Sequence, residues 1–294
     1  MYDTTKPYTK RILKLTRGCR EDKPSSTDGI GTKGFYHWQK RTFRNAVLDA
    51  LAMNLNDMAL MRAKVHGLHN HIIIPEDDEG AIYEIVETLV CECLKRNILI
   101  KSGETSIHRN FPGLEISISV DGDYIQEKEN IFKERDSIIG IGSSGLHSNG
   151  FTKVREVFSG EYRTEFTEPT LIYYDAILEI IKDFEINGMA HITGGAFTKL
   201  KPFLNGNDVV VSGSHSLSPQ QIFYELYRRG ISDEEMYKTF NCGVGFILST
   251  KDDVESIVSR LSNFGFRADK IGEVVHGKGK IKINSMFSQK KIVL

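Results

Sequence analysis

Apolar and polar residues alternate with two different periods along this chain, and the periods predict helices interleaved with strands. A long helix is predicted over 41–62 because one face recurs every three or four residues, at Phe43, Val47, Ala50, Asn54 and Asp57. This pattern places Asp57 on the inward face. A second helix is predicted over 81–96, a short strand over 98–100 ended by a turn at Ser102 and Gly103, and a half-buried strand over 114–120.

The second half starts with an apolar strand at 137–142 that follows the polar segment 130–136. A helix is predicted after Pro169, which we expect in its first turn, with an apolar stripe at Ile172, Ala176, Ile180, Ile181 and Phe184. Further elements are strands at 208–213 and 243–249, a helix near 252–263 and a last strand pair near 271–284. The pattern predicts an α/β protein with two domains, 1–130 and 131–294.

Length and charge restrict the classes of function. A chain of 294 residues has room for two domains of ordinary size. Lys and Arg total 38 and Asp and Glu total 39, and a net charge of -1 makes nucleic acid or an anionic membrane an unexpected partner. The amino terminus lacks the apolar stretch of a signal peptide, and no segment approaches the roughly 20 apolar residues of a membrane span. We expect a soluble cytoplasmic protein.

The four cysteines do not form a metal-binding pattern. Cys19, Cys91, Cys93 and Cys242 include no CxxC pair, and no histidine stands at ligand spacing, which argues against zinc. Cys91 and Cys93 lie two apart in a predicted helix and point to different faces, so we expect reduced thiols and no disulfide between them.

Three short acidic motifs in the first half could bind phosphate and metal. Segment 28–33 (DGIGTK) combines two glycines, an acid and a base, which suits Mg²⁺ with phosphate but is also typical of a plain turn. Asp57, after Asn56, is predicted to be buried, and a buried carboxylate requires a cation or several donors. Segment 102–105 (SGET) adds an acid after a strand, or caps a helix.

Three motifs in the second half are rich in glycine and small polar residues. Segment 142–150 (GSSGLHSNG) runs from a strand into the helix 151–158, and its hydroxyls, backbone N–H groups and helix N-terminus together indicate an anion site. His147 taken alone would be read as a surface histidine. Segments 190–196 (AHITGGA) and 236–245 (MYKTFNCGVG) also place glycine pairs beside a predicted element, where each alone could be a tight turn.

Taken together and in this order, the six motifs resemble those of the aminoimidazole ribonucleotide synthetase family, also called phosphoribosylformylglycinamidine cyclo-ligase. The resemblance extends from residue 28 to about residue 275 and is closest in four stretches of the second half. These stretches read IGIGSSGLHSNGFTKVREVF, EPTLIYYDAILEII, MAHITGGAF and EEMYKTFNCGVGF.

The resemblance implies an N-terminal domain whose strands form a β-barrel across a homodimer, flanked by helices, and a C-terminal α/β domain. It implies ATP and Mg²⁺ as cofactors, bound between the domains, and leaves a monovalent cation open. It also implies a nucleotide substrate and a reaction: ATP phosphorylates the formyl oxygen of formylglycinamidine ribonucleotide, and an amidine nitrogen then displaces phosphate to close the imidazole ring of purine biosynthesis.

The resemblance also assigns roles to residues. The implied ATP-binding positions are Asp28, Gly29, Gly31, Thr32, Lys33, Asn56, Asp57, Gly103, Glu104 and Thr105. The implied metal ligands are Asp28, Asp57 and Glu104, and the implied catalytic residues are Lys33, facing the phosphates, with His147, His191 and Asn241. The implied substrate-binding residues are Ser143, Ser144, His147, Ser148, Asn149 and Thr193.

The chain departs from the family pattern in three places. After Asp57 it reads MALMRAKVHGLHNHIII where a Gly-Ala-Glu-Pro turn is usual, SGET replaces GGET, and the amino-terminal arm is short. Alternatives within the superfamily are thiamine monophosphate kinase, selenophosphate synthetase, for which Cys19 is a weak candidate nucleophile, and the hydrogenase-maturation ATPase. A non-catalytic nucleotide-binding paralogue is an alternative of another class.

Overall fold

Two β-sheets organise the chain, and the computed structural model describes residues 8–19 and 22–294. The first sheet has four strands in the order β1-β4-β2-β3, of which only β2 and β3 run parallel. Its strands are β1 (Ser25–Gly29), β2 (Ala63–Ile74), β3 (Leu99–Ile107) and β4 (Glu115–Tyr124). Along β4 buried and half-buried residues alternate, so one face of this sheet packs inward and the other does not.

Helices α3 (Phe43–Leu60) and α4 (Glu79–Lys95) pack against the first sheet, and α1 (Thr9–Thr16) and α2 (Gly34–Lys40) precede them along the chain. Helix α4 begins where the Asp78 carboxylate accepts a hydrogen bond from the Ala81 N–H at 2.9 Å. Helix α3 is buried around most of its circumference, because β1, β2 and β4 lie on one side and α4 on another.

The second sheet has seven strands in the order β11-β10-β7-β9-β5-β8-β6. They are β5 (Ser137–Gly142), β6 (Ile186–His191), β7 (Asp208–Val211), β8 (Val244–Thr250), β9 (Ala268–Val275), β10 (Ile281–Asn284) and β11 (Lys291–Val293). Every residue of β6 and β8 is buried, and β8 is accordingly a mostly apolar run, whereas β6 also buries Asn187 and His191. They therefore form the enclosed end of the sheet.

Five more helices accompany the second sheet, and one of them joins the two halves. They are α5 (Phe151–Phe158), α6 (Tyr174–Asp183), α7 (Gln221–Arg228), α8 (Asp233–Thr239) and α9 (Val254–Asn263). Tyr174 and Ile177 of α6 belong to the same apolar core as Val47 and Leu55 of α3. Helix α3 is thus the element against which both halves of the chain pack.

The structure confirms most predicted elements and corrects several. Ser102 and Gly103 lie inside β3 and form no turn, because β3 pairs with β2 as far as Ile107. Pro169 precedes α6 by five residues and is not in its first turn. Strands β9 and β10 do not pair with each other, because β7 lies between them, and β1, β2, β6 and β11 were not predicted.

Two further expectations concern larger features. The first sheet of a single chain is open, with β1 and β3 as its edges, and does not form a closed barrel. No helix among the described residues is long and apolar enough to cross a membrane.

Candidate active site

Residues from five of the six motifs meet beside the second half of helix α3. This helix places Asn56 and Asp57 next to His191 at the end of β6. Asn54 of the same helix contacts β1, because the Asn54 Nδ2 donates to the Asp28 carbonyl at 3.2 Å. The carboxyl end of one strand, the middle of a helix and the loops of the second sheet are thereby held in fixed positions relative to one another.

Asp28 and Asp57 form an open acidic pair. Asp28 is exposed at the end of β1, and its Oδ1 accepts the Gly29 N–H at 2.8 Å. The Asp57 side chain is 28 % exposed. Close surroundings reduce the hydration of Asp28 and raise its pKa, and the charge of Asp57 raises that pKa further. Burial raises the pKa of Asp57, but the neighbouring His191 and then the Lys199 ammonium lower it, so that it lies below its ordinary value. Lys199 also lowers the pKa of Asp28.

His191 has a defined tautomer. Asn56 accepts the Tyr173 and Tyr174 N–H groups on Oδ1 at 2.7 and 3.2 Å, which orients its amide so that Nδ2 donates to His191 Nε2 at 3.2 Å. Nε2 therefore carries the lone pair, and the N–H on Nδ1 points towards Asp57 Oδ1 at 3.8 Å. Burial lowers the pKa of His191, although Asp57 opposes this shift, so the ring is neutral and available as a donor.

Lys33 does not fit the expected position facing the phosphates. Its side chain is fully buried, and its ammonium donates to Asp49 Oδ1 at 3.0 Å and to the carbonyls of Leu146 and Glu168. Burial lowers the pKa of Lys33 and Asp49 counteracts that effect. Because each ammonium N–H has a protein acceptor, Lys33 joins three segments of the chain and does not reach the cleft.

Asp49 was not identified from the sequence, yet it is the centre of this buried cluster. It accepts hydrogen bonds from Lys33, from His37 Nε2 at 2.9 Å, from Ser148 Oγ at 3.1 Å, and from Thr170 N and Oγ1 at 2.8 and 2.6 Å. Burial disfavours its ionised form, but Lys33 and then His37 hold the pKa of Asp49 well below its ordinary value. The sequence signal was an acid at an otherwise apolar helical position.

The serines of segment 142–150 are engaged with the protein. Ser143 Oγ donates to Asn241 Oδ1 at 2.8 Å, Ser144 Oγ to the Pro169 carbonyl at 2.6 Å, and Ser148 Oγ to Asp49. Asn241 is engaged too, because its Nδ2 donates one N–H to the Gly145 carbonyl at 2.7 Å and its Oδ1 also accepts the Gly243 N–H. In this geometry the hydroxyls and Asn241 shape the loop.

His147 and Asn149 are the members of this loop that keep an unpaired polar atom. His147 is 3 % exposed and its Nδ1 lies 2.9 Å from the Ile192 carbonyl, whereas its Nε2 has no hydrogen-bond partner. Asn149 Oδ1 is likewise buried without one. Both residues line a small cavity with Thr193 and Asn241, and Thr193 Oγ1 accepts a hydrogen bond from Lys199. A Cβ on Gly245 would overlap Tyr173 and the His147 ring, so the cavity wall requires glycine there.

The SGET segment lies elsewhere. Gly103, Glu104 and Thr105 are exposed on the edge strand β3, where Glu104 pairs in register with His71 of β2. Within the described part of the chain, no three His, Cys, Asp or Glu side chains are grouped so that they alone could hold a metal ion. Glu104 is therefore not combined with Asp28 and Asp57 in a single chain.

The turn after Asp28 keeps an open surface. Gly31 has a φ of +57°, a left-handed conformation that favours glycine, and open space lies beside it. Thr32 is exposed next to it. Glu115 of β4, which the sequence did not identify, lies beside this turn: burial raises its pKa, which its hydrogen bonds from Ser117, Ile30 and Gly31 oppose. In a strand where apolar and polar residues alternate, the sequence does not show which polar residue lies next to a binding site.

The structure is that of an α/β protein in which an open acidic pair at a glycine turn, a neutral histidine and a small buried cavity lie near helix α3. The chain belongs to the family of AIR synthase related proteins: the model of the N-terminal domain matches residues 20–122 and that of the C-terminal domain matches residues 133–284. These matches include all six motifs.

Relatives within the family carry a specific name. The chain is 32 % identical over 263 residues to the phosphoribosylformylglycinamidine cyclo-ligase of Saccharolobus solfataricus, covering 86 % of this chain and 79 % of that protein. It is 33 % identical over 293 residues to the enzyme of the same name from Clostridium perfringens strain 13, covering 90 % and 85 %.

Solved structures share the fold. HypE in the HypE–HypF complex has a TM-score of 0.72 at 15 % identity, over 98 % of this chain and 99 % of that one. The hydrogenase maturation protein HypE in complex with ATP has a TM-score of 0.66 at 13 % identity, over 100 % and 96 %. At this level of identity the likeness shows the fold alone.

Proposed function

We propose that this protein is an ATP-dependent phosphoribosylformylglycinamidine cyclo-ligase, which converts formylglycinamidine ribonucleotide to aminoimidazole ribonucleotide, ADP and phosphate. The relatives of that name, aligned over most of both chains, support the activity. The observation in the structure that carries the proposal is the open pair of Asp28 and Asp57 with the neutral His191 beside it.

The acidic pair fits Mg²⁺. Loss of hydration raises the pKa of Asp28 and the charge of Asp57 raises it further, and a divalent cation beside the two carboxylates would offset both effects. Mg²⁺ is usually held by one or two carboxylates, with waters and substrate phosphates completing its shell. We therefore assign Asp28 and Asp57 as its ligands, and the exposed backbone of Gly29, Gly31 and Thr32 as the part that approaches the ATP phosphates. A monovalent cation remains an additional proposal.

The bound metal would supply charge neutralisation for phosphoryl transfer to the formyl oxygen. His191, oriented by Asn56, presents its Nδ1–H beside the acidic pair and would donate to an anionic oxygen there. Lys199 adds positive charge at the same place, where it lowers the pKa of both carboxyl groups. Lys33, Ser148 and Asn241 would act at a distance, by holding the loops that enclose the substrate.

A homodimer would complete this site. The edge strand β3 exposes Leu99, Ile100 and Ile107 at 70, 38 and 45 %, and an exposed apolar edge is a template for pairing with another strand. The sheet face opposite α3 carries polar pairs such as Thr27 with Ser119 and His69 with Ser102. Closing two such sheets into a barrel would enclose this face and bring Glu104 to a cleft that one chain does not form.

Sedimentation tests the dimer. We expect a species of twice 33.2 kDa at micromolar concentration, and weakening of the dimer by Ile107→Lys, which places a charge on the exposed edge. A single species of 33.2 kDa would contradict the homodimer.

The activity is tested by incubating the purified protein with formylglycinamidine ribonucleotide, ATP and Mg²⁺ and measuring both ADP and aminoimidazole ribonucleotide. Equal amounts of the two products are expected, and none without Mg²⁺. Binding of ATP without product would indicate the non-catalytic paralogue, and phosphorylation of thiamine monophosphate or selenide would indicate another member of the superfamily.

Two organisational proposals accompany the activity. A domain boundary near residue 130 agrees with the segment between the two family matches. A cytoplasmic location agrees with the small soluble substrates that the reaction requires.

A further inference from the structure

The small cavity beside His147 contains a hydrogen-bond acceptor that the protein does not pair. His147 is almost completely enclosed, and its Nδ1 is occupied by the Ile192 carbonyl at 2.9 Å. Since a carbonyl only accepts, Nδ1 must carry the proton in the neutral ring, and Nε2 must then present a lone pair. That lone pair is buried without a partner.

The surroundings hold His147 in this neutral form. Burial lowers the pKa of His147 well below its ordinary value, and the Lys33 ammonium acts in the same direction, while Asp49 only partly opposes them. A cationic His147, which could donate from Nε2, is therefore disfavoured at neutral pH. The cavity is a site that accepts hydrogen bonds.

Two neighbouring groups already donate to other parts of the protein. The Asn241 amide donates one N–H to the Gly145 carbonyl, and the Ser143 hydroxyl donates to Asn241. The second unpaired atom of the cavity, Asn149 Oδ1, is also an acceptor. A buried acceptor without a partner destabilises the protein, and a donor from a molecule that enters the cavity would remove that cost.

We propose that this cavity binds an N–H group of the amidine of the substrate, with His147 Nε2 as the principal acceptor, and that it thereby distinguishes the amidine from the corresponding amide. This inference rests on the proposed cyclo-ligase function. An amide analogue carries a carbonyl oxygen in place of the amidine nitrogen and would place a third acceptor against two acceptors. The cavity is small, which suits one terminal group and not a phosphate.

The first test compares the two ligands. Formylglycinamidine ribonucleotide and its amide analogue are titrated into the full-length protein with Mg²⁺ and a nonhydrolysable ATP analogue, and heat of binding is measured. We expect the amidine to bind at least ~10-fold more tightly, because only the amide leaves the acceptors unpaired. Equal affinity for the two ligands would overturn the inference.

The second test separates the two nitrogens of His147. His147→Asn keeps an amide near Nδ1 and removes the acceptor at Nε2, whereas His147→Gln places a side-chain oxygen near Nε2. His147→Asn should lower kcat/KM for the amidine substrate by about 10–100-fold and reduce the discrimination, and His147→Gln should restore part of both. His276→Gln, at a histidine 88 % exposed, is the matched control and should behave as the wild type.

Affinity for the ATP analogue distinguishes the two possible roles of His147. If His147 only supported the structure, its loss would also weaken binding of the ATP analogue. We expect this affinity to stay within about twofold of wild type in all three variants. Unchanged kcat/KM in His147→Asn would mean that water alone fills the cavity and would overturn the inference. So would an equal defect in His147→Gln, or parallel loss of ATP binding. If the wild type does not convert the amidine substrate at all, the proposed cyclo-ligase function is wrong. That result differs from a failure of the His147 inference, in which the wild type is active and the variants do not behave as expected.

Discussion

Two charged clusters of this protein take residues from the same short motif and differ in every physical respect. Asp28 begins the motif and lies exposed, within reach of the repulsive charge of Asp57. Lys33 ends it, five residues later, fully buried in a cluster where Asp49 and two carbonyls satisfy its ammonium. The open pair is short of positive charge, and the closed cluster is neutral and saturated.

The difference teaches how to separate a binding site from a structural ion pair. A buried charge is tolerated only if nearly all its hydrogen-bonding capacity is used, which leaves none for a ligand. Asp49 meets this condition, with donors from α2, the loop before α5 and the segment before α6. Asp28 and Asp57 do not, and an excess of like charge is what a cation binds.

The largest expected effect is on the closed cluster. Asp49→Asn should lower the free energy of unfolding by about 3–5 kcal/mol, because it leaves the Lys33 charge buried without its counter-ion. Urea unfolding measures this. Asp121→Asn is the matched control, since its ion pair with Lys101 is exposed at 41 and 43 % and should contribute no more than about 1 kcal/mol. Equal effects at the two sites would contradict the distinction between them.

The open pair should behave in the opposite way. Asp57→Asn should reduce turnover at least ~10²-fold, because it removes a ligand that stabilises the transition-state charge, yet change the free energy of unfolding by no more than about 1 kcal/mol. Steady-state kinetics over a range of Mg²⁺ concentrations measure the first effect. Asp183→Asn, half-exposed beside Arg260, is the control. Near-normal turnover with unchanged Mg²⁺ dependence would remove Asp57 from the metal site.

The smallest effect concerns pH. Burial lowers the pKa of His147 and of His191, so below the unfolded value of 6.5 the unfolded chain binds protons that the folded protein does not. Stability should therefore be constant above pH 6.5 and fall below it, by up to about 1.4 kcal/mol per pH unit for each such histidine. The Asp49 contribution is lost only as the pH falls below its ordinary value of 3.8.

Urea unfolding at about pH 7.5 and pH 5.5 measures the histidine effect, since carboxylates change little in that interval. In His147→Gln the free energy of unfolding should depend less on pH, because the contribution of one histidine is removed. The same dependence in the variant and the wild type would show that His147 is not held neutral in the folded protein.

Much of the fold was predictable because it depends on local periodicity. The repeat through Phe43, Val47 and Ala50 predicted α3, and the apolar run 137–142 predicted β5. Strand β2 was missed because its inner and outer faces carry no simple alternation, with three histidines and a register shift along its length. The supposed turn at Gly103 was wrong because pairing with β2 outweighed a local preference.

The family, the longest periodic elements and the motifs that carry polar groups near glycines could be inferred from the amino-acid sequence, since these are properties of neighbouring residues. The hydrogen-bonding capacity that each polar group keeps for a ligand depends on contacts in the folded protein. Ser143, Ser148 and Lys33 look available in the sequence but are bound by Asn241 and Asp49, which lie 98, 99 and 16 residues away along the chain. Polar groups form hydrogen bonds with residues that are distant in the sequence, and the spacing of residues along the chain does not predict these contacts.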